Sequence, residues 1–371
     1  MSARRVAARG ALPLALFLTL ISARSTPVEP VTPAEPLAAE TAPDLPKEAK
    51  RGVQWLVAQQ TEDGFWSSTQ AQAGTDLYEV GVTGLALMAL MESGRYGGES
   101  DVGRSITRGV DWLVERVHAE SGRVGDDIVK EFHYMHATAT IALCNAYAQA
   151  PNEELEAACR LAVRYVLDAR RPKTGWRYEP ELDEVDTSIT SWMVDALVAA
   201  REAGLVDDLE TVTSEVCEYL VEMTDVGTGR VGYTARGSLS SRVPGMNDNY
   251  PRNAENLTAH ALLAQRELGS VEELLRDKGV ELLLTSLPVH SPTGITNDYL
   301  YWYYGSRYFG GASKKQRSAA LRWRKATKKA LKAGQVRKGD DKGSWEPNGP
   351  WCYTGGRVYA TSLAVLAYAA L

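Results

Sequence analysis

Cysteine is scarce in this 371-residue chain, with four in all at positions 144, 159, 217 and 352. No C-x-x-C pair or comparable metal-ligand spacing occurs among them, which excludes a disulfide scaffold and a zinc ribbon as organising devices. Cys144, Cys159 and Cys217 fall inside helical patterns and Cys352 in a turn; buried free thiols and a single disulfide both stay open. Strong charge of either sign is also missing. A net charge of −6 with 24% charged residues is ordinary for a globular protein and leaves no electrostatic footprint for nucleic acid. An H-E-x-x-H signature is absent.

The apolar run at residues 11–21 is too short to span a bilayer comfortably. Arg4, Arg5 and Arg9 precede it, and Ala23 and Ser25 follow as small residues at the spacing of a signal-peptidase site. Residues 1–25 therefore read as an export signal, which predicts a periplasmic or secreted protein. Retained as an uncleaved signal-anchor, the same run would tether the protein to a membrane; no cysteine follows it to carry a lipoprotein anchor. Residues 26–46 are rich in Pro, Ala, Glu and Thr, a linker composition that predicts disorder.

What the chain does contain, from residue 47 to 371, is a repeat. Its seed is Arg51-Gly52-Val53-Gln54-Trp55-Leu56, followed by Gln59-Gln60, by a Gly64-Phe65-Trp66 turn and by a small-residue apolar helix over 81–91. Arg108-Gly109-Val110-Asp111-Trp112-Leu113 restates the opening, with Gly122 as its turn and a helix over 134–150. Tyr165-Val166-Leu167 leads to Gly175-Trp176 and a helix over 186–200. Further copies turn at Gly229, Gly294 and Gly343-Ser344-Trp345, and the last closes on residues 356–371. Six turn glycines recur at intervals of about 50 to 65 residues, the mark of a helical repeat array.

The two helices of each copy differ in kind. The first carries charge and one apolar stripe, as over 153–170, which suits a helix with one face in water; the second, as over 81–91 or 137–144, is apolar nearly all round and belongs inside. Charged outer and bare inner helices in alternation favour a closed double ring over an open solenoid. The apolar terminus Leu363-Ala364-Val365-Leu366-Ala367-Tyr368-Ala369-Ala370-Leu371 would be costly in water and is expected to pack against the first repeat.

The Arg-Gly-x-x-Trp-Leu…Gln…Gly-x-Trp pattern of residues 51–66 resembles the QW motif of the squalene-hopene and oxidosqualene cyclases, and the paired helices resemble the wider prenyltransferase and squalene-oxidase repeat superfamily. The resemblance covers residues 47–371. It implies an all-α (α/α)6 toroid with a central cavity reached where the inner helices begin. Helix N-termini there supply free N–H groups, so candidate site residues come from those turns.

Asp183-Glu184-Val185-Asp186-Thr187 stands where the resemblance places an Asp-x-Asp-Asp-Thr acid motif. Asp183 and Asp186 match, but the central proton donor is replaced by Val185, and Asp186 also suits an N-cap. The same turn is similar to the Asp-x-Cys zinc element of protein prenyltransferases, with Ser188 in place of the cysteine. No cofactor is expected, and zinc is disfavoured. His133 and His136 lie one helical turn apart beside Glu131, a pattern fit for metal binding, for proton transfer, or for satisfied polar packing. Of the pair, His136 is the better catalytic candidate.

Aromatics gather at the turns and inner-helix starts, a lining that suits an isoprenoid chain, a carbocation or a stacked sugar. Tyr134, Trp192, Tyr299, Trp302, Tyr303 and Tyr353 are the ligand-binding candidates, with Arg357 and the turn at 246–252 able to hold an anionic headgroup. The basic stretch 314–342 reads as a solvated outer helix or a contact for anionic lipid headgroups.

Three functions fit: an exported protein whose cavity binds an isoprenoid or other apolar ligand; a protein-interaction module on the same ring, without the Gly-Cys-Gly-Glu-Gln that thioester chemistry needs; and a carbohydrate-active enzyme using a carboxylate pair such as Asp186 and Glu131.

Overall fold

The computed structural model describes residues 45–68, 78–128, 130–171, 174–178, 185–239, 255–269 and 272–371. The expected signal segment, and the expected linker up to residue 44, lie outside them. The described residues contain twelve α-helices, one short 3-10 turn and no strand.

The odd-numbered helices are α1 (Lys47–Gln59), α3 (Asp101–Val114), α5 (Glu153–Asp168), α7 (Glu210–Glu222), α9 (Glu273–Thr285) and α11 (Arg317–Gly334). Each buries one stripe. In α3 the buried set includes Ile106, Gly109, Val110, Trp112 and Leu113, the three-and-four spacing of an amphipathic helix. The even-numbered helices are α2 (Glu79–Met91), α4 (Phe132–Gln149), α6 (Thr187–Glu202), α8 (Asn256–Glu267), α10 (Tyr299–Gly310) and α12 (Cys352–Ala369). They are buried all round, as in α6, where every residue of 187–200 is buried.

Inner helices pack in succession, α2 on α4, α4 on α6, α6 on α8, α8 on α10, α10 on α12, and α12 back on α2. The ring is closed, and α12 also lies against α1, which buries the apolar C-terminal stretch as its composition requires. The fold is the all-α (α/α)6 toroid.

Local chemistry explains the regularity. At four of the six turns a backbone N–H is received by a threonine of the following inner helix: Trp66 N by Thr83 Oγ1 at 3.0 Å, Trp176 N by Thr190 Oγ1 at 3.1 Å, Val231 N by Thr258 Oγ1 at 3.1 Å and Trp345 N by Thr361 Oγ1 at 3.2 Å. Trp66, Trp176 and Trp345 are fully buried, and their indole N–H groups donate to Leu56 O, Val166 O and Leu331 O near the ends of α1, α5 and α11. Those carbonyls would otherwise be orphaned at a helix C-terminus.

The turn glycines fit against the next outer helix. Gly64 has φ 100°, and a Cβ there would stand 2.6 Å from Arg108 O; at the other end of the chain Gly343, with φ 101°, meets Arg51 O in the same way, at 2.7 Å. Only glycine tolerates both the left-handed backbone and the approach. All four cysteines are free and buried.

Candidate functional site

The ring encloses a cavity of about 160 Å3 to which all six inner helices, or the residues leading into them, contribute. Its wall is set by where each helix begins. Tyr78 and Val82 come from the start of α2, Glu131, Tyr134 and Met135 from α4, Ser188 and Trp192 from α6, Asn256 from α8, Leu300 from α10, and Trp351, Tyr353 and Tyr359 from α12. Tyr178, from the turn before α6, completes it. Aromatic and aliphatic side chains dominate, and Glu131 is the one carboxylate on the wall among the described residues.

Close packing of α2 on α4 makes this possible. A Cβ on Gly84 would sit 2.7 Å from the Thr138 carbonyl, so no side chain fits there and the helices meet backbone to backbone. At the mouth Tyr78 Oη donates to Glu131 Oε2 at 3.3 Å. Burial and the neighbouring Glu131 push the Tyr78 hydroxyl up to about 12, so it stays a donor at neutral pH.

Tyr134 and Tyr178 meet edge to face at 5.9 Å, and Tyr178 Oη lies 2.7 Å from Tyr233 Oη. Behind this tyrosine cluster stands Asp186, fully buried as the N-cap of α6, with Oδ1 accepting from Ile189 N at 2.8 Å. Its Oδ2 has no aligned donor among the described residues. Burial pushes the carboxyl up to about 6, against the pull of the Ile189 N–H and of Arg177. Asp186 thus combines an N-cap with a carboxyl raised well above the ordinary carboxylate range.

His136 is buried and faces away from the cavity wall. Its Nδ1 accepts from Val124 N at 3.2 Å, and its Nε2 donates to Ala162 O at 3.1 Å. It does in the second repeat what Thr83, Thr190, Thr258 and Thr361 do in the first, third, fourth and sixth. A second proton would have to sit on Nδ1, against the Val124 N–H, and burial together with His133 pulls the imidazole down to about 3.

The sign follows from linkage. The folded state takes up fewer protons than the unfolded chain between about pH 6.5 and 3, so this residue's contribution to stability is complete above about pH 6.5 and is lost as pH falls. By about pH 5 the loss is about 2 kcal/mol. His136→Thr is expected to keep the Val124 contact and to remove that acid sensitivity; urea titrations of both proteins at about pH 7 and 5 check it. His133, also buried, is held by Arg177 O and by Tyr165 Oη at 3.1 Å.

The remaining sequence candidates separate. Tyr134, Trp192 and Tyr353 line the cavity; Tyr299, Trp302, Tyr303 and Arg357 are not among its wall residues. Tyr299 donates to Glu346 O at 3.0 Å and packs edge-on against Trp302. Arg357 pairs with Glu346 at 2.9 Å and with Asp341 at 3.2 Å, fastening the last turn. Asp183 and the turn at 246–252 lie outside the described residues.

One group of residues was not anticipated. A turn deeper along α6 than Trp192, about 4.5 Å by helix rise, Asp195 Oδ2 accepts from His260 Nε2 at 3.0 Å and pairs with Arg307 at 3.2 Å. Arg307 also donates to Glu267 Oε1 at 2.7 Å. Burial opposes ionisation of Asp195, but Arg307 and His260 outweigh it and hold its carboxyl below the usual range. Glu267 is pushed up to about 7, because burial exceeds the help from Arg307. The His260 ring stacks on Tyr304, and Trp192 meets both rings edge-on at 5.6 and 5.4 Å. This network therefore fixes Trp192, and with it the inner end of the cavity. A lone Asp inside the otherwise apolar Trp192-Met193-Val194-Asp195-Ala196-Leu197-Val198 run was the available signal.

Among solved structures the chain is similar to a type II terpene cyclase, MstE, from Scytonema in complex with merosterolic acid A, at 14% identity and TM-score 0.56 over 87% of this chain and 95% of the cyclase. It is also similar to an α-1,6-mannanase from Salegentibacter sp., at 11% identity and TM-score 0.60 over 87% of this chain and 97% of the mannanase. Both likenesses establish the fold. No protein-family model and no curated protein matches the chain.

Proposed function

We propose that the central cavity binds an apolar ligand of isoprenoid type. The composition of the wall carries this reading: aromatic rings and aliphatic side chains from around the whole ring, with a single carboxylate among the described residues. A glycosidase needs two carboxyl groups flanking the scissile bond. Among the described residues Glu131 has no partner of that kind on the wall, and Asp186 commits one oxygen to capping α6. The terpene cyclase neighbour has been captured with geranylgeranyl dihydroxybenzoate, a ligand of the proposed class, whereas the mannanase has been captured with α-1,6-mannotriose.

At about 160 Å3 the cavity is smaller than the ~300 Å3 at which small-molecule sites begin. It takes a chain end or a ring, with the rest of the ligand leaving past Tyr78 and Glu131. Tyrosine and tryptophan faces stabilise such a segment, and would stabilise a cation formed on it. Asp186, behind Tyr134 and Tyr178 and with its carboxyl raised by burial, is the candidate proton donor nearest this wall. Residues 1–25, read as an export signal, would put that role outside the cytoplasm.

Geranylgeraniol titrated against the protein by intrinsic tryptophan fluorescence tests the reading. Saturable binding weakened about tenfold or more by Trp192→Ala and by Tyr134→Ala is the expected result. Binding of mannotriose with equal or greater affinity, dependent on Glu131, would replace it with the carbohydrate reading.

A further inference from the structure

The surface carries a second feature that the cavity does not use. Between residues 312 and 339 there are eleven Lys or Arg and no Asp or Glu, in a protein of net charge −6. Seven of these cations lie on α11, Arg317, Arg322, Arg324, Lys325, Lys328, Lys329 and Lys332, and all seven are exposed. Of the eleven, only Lys315 has a carboxylate within 4.0 Å among the described residues, Asp277 at 3.6 Å. Arg324 and Lys328, Lys325 and Lys329, and Lys328 and Lys332 are four apart, so like charges face each other along the helix and destabilise it. Arg317 stands in the first turn, where the helix dipole also disfavours a cation. Such a face is costly to the free molecule and is relieved by an anionic partner.

Two flanking features define that partner. Beyond the C-terminal end of α11, a cleft of about 390 Å3 is lined by Lys47, Arg51, Lys332, Arg337 and Lys342, with Glu48 as its one carboxylate. At its N-terminal end an apolar notch formed by Phe309, Ala320, Leu321 and Leu371 is rimmed by Arg317 and Arg324. Leu321 is 57% exposed in the midst of the cations. Cations that surround an exposed leucine and an apolar notch match a bilayer surface, with anionic headgroups outside and hydrocarbon just beneath. Trp323 is buried, so α11 shows no exposed aromatic on which bases would stack, which sets nucleic acid aside. The chain also joins the ring at this patch, because Lys47 opens α1 and borders the cleft.

We infer that the α11 face, with the adjoining cleft, docks the ring on an anionic lipid membrane. Cosedimentation of the full chain with vesicles of phosphatidylcholine alone, and of phosphatidylcholine mixed with phosphatidylglycerol, tests this. The expected result is preference for the anionic vesicles, falling steeply as salt is raised. Each neutralised cation lowers the affinity about fivefold, so the triple variant Arg324→Gln, Lys328→Gln, Lys332→Gln loses about a hundredfold on anionic vesicles. Its binding to neutral vesicles, which reports any contribution of the N-terminal apolar run, stays unchanged. A thermal melt of the variant no lower than that of the parent shows that the fold is intact, as expected for relieved repulsion. Equal binding of the parent to both vesicle types, no change in the variant, or tighter binding to single-stranded RNA than to anionic vesicles would overturn the inference.

Discussion

Arg307→Met is expected to destabilise the protein by about 3–5 kcal/mol at neutral pH, the range for breaking a buried ion pair from one side. Asp195 is 2% exposed and Glu267 15%, and both are held by the one guanidinium. Without it two carboxyl groups on neighbouring inner helices stand in a low dielectric, with only a hydrogen bond from His260 left to Asp195 and the weaker pull of Arg266 left to Glu267. Methionine fills the space and supplies no charge. Because Arg307 is what holds Asp195 below the usual carboxylate range, its loss raises the carboxyl's proton affinity, and the destabilisation should shrink as pH falls and the carboxylates protonate. Urea unfolding at two pH values reads both effects. A loss below about 1 kcal/mol, or one that grows on acidification, would show that Arg307 is a surface charge rather than the centre of the network.

Trp345→Ala should cost a similar amount, about 3–5 kcal/mol, for a different reason. The side chain is fully buried where the ring closes: its indole N–H holds Leu331 O at 2.8 Å on α11, its backbone N–H is held by Thr361 on α12, and a Cβ on Gly52 of α1 would lie 2.9 Å from its ring. Truncation opens a cavity among three helices and orphans a helix-terminal carbonyl. Trp345→Phe keeps most of the volume and loses the hydrogen bond, so its cost should be nearer about 1–2 kcal/mol. Equal losses for Ala and Phe would mean that the hydrogen bond, not the packing, closes the ring.

The architecture was legible because its signals are local and repeated. An inner helix apolar on every face, as over 81–91, has one place to go, and a glycine turn before it marks where the layer changes. The site was less legible, because which aromatic faces the cavity depends on angular position around the ring. Successive residues on a helix point about 100° apart. In α10 it is Leu300 that reaches the cavity, whereas Tyr299 bonds to Glu346 and Tyr301 packs on Trp323. The paired histidines show the same limit: spacing alone does not say whether a face looks inward to the cavity or outward to α5, and His136 meets Ala162. Asp195, Arg307 and Glu267 come from separate repeats and meet only once the ring is built.

Native mass spectrometry of the protein purified from its own cells, with extraction of whatever it carries, tests the central proposal most directly. An apolar ligand should remain bound through desolvation and be absent from Trp192→Ala, and geranylgeraniol should refill the emptied cavity at one molecule per chain. A protein that carries nothing and takes up no polyprenyl alcohol, or one that retains an oligosaccharide or a partner chain in place of an apolar ligand, would contradict it.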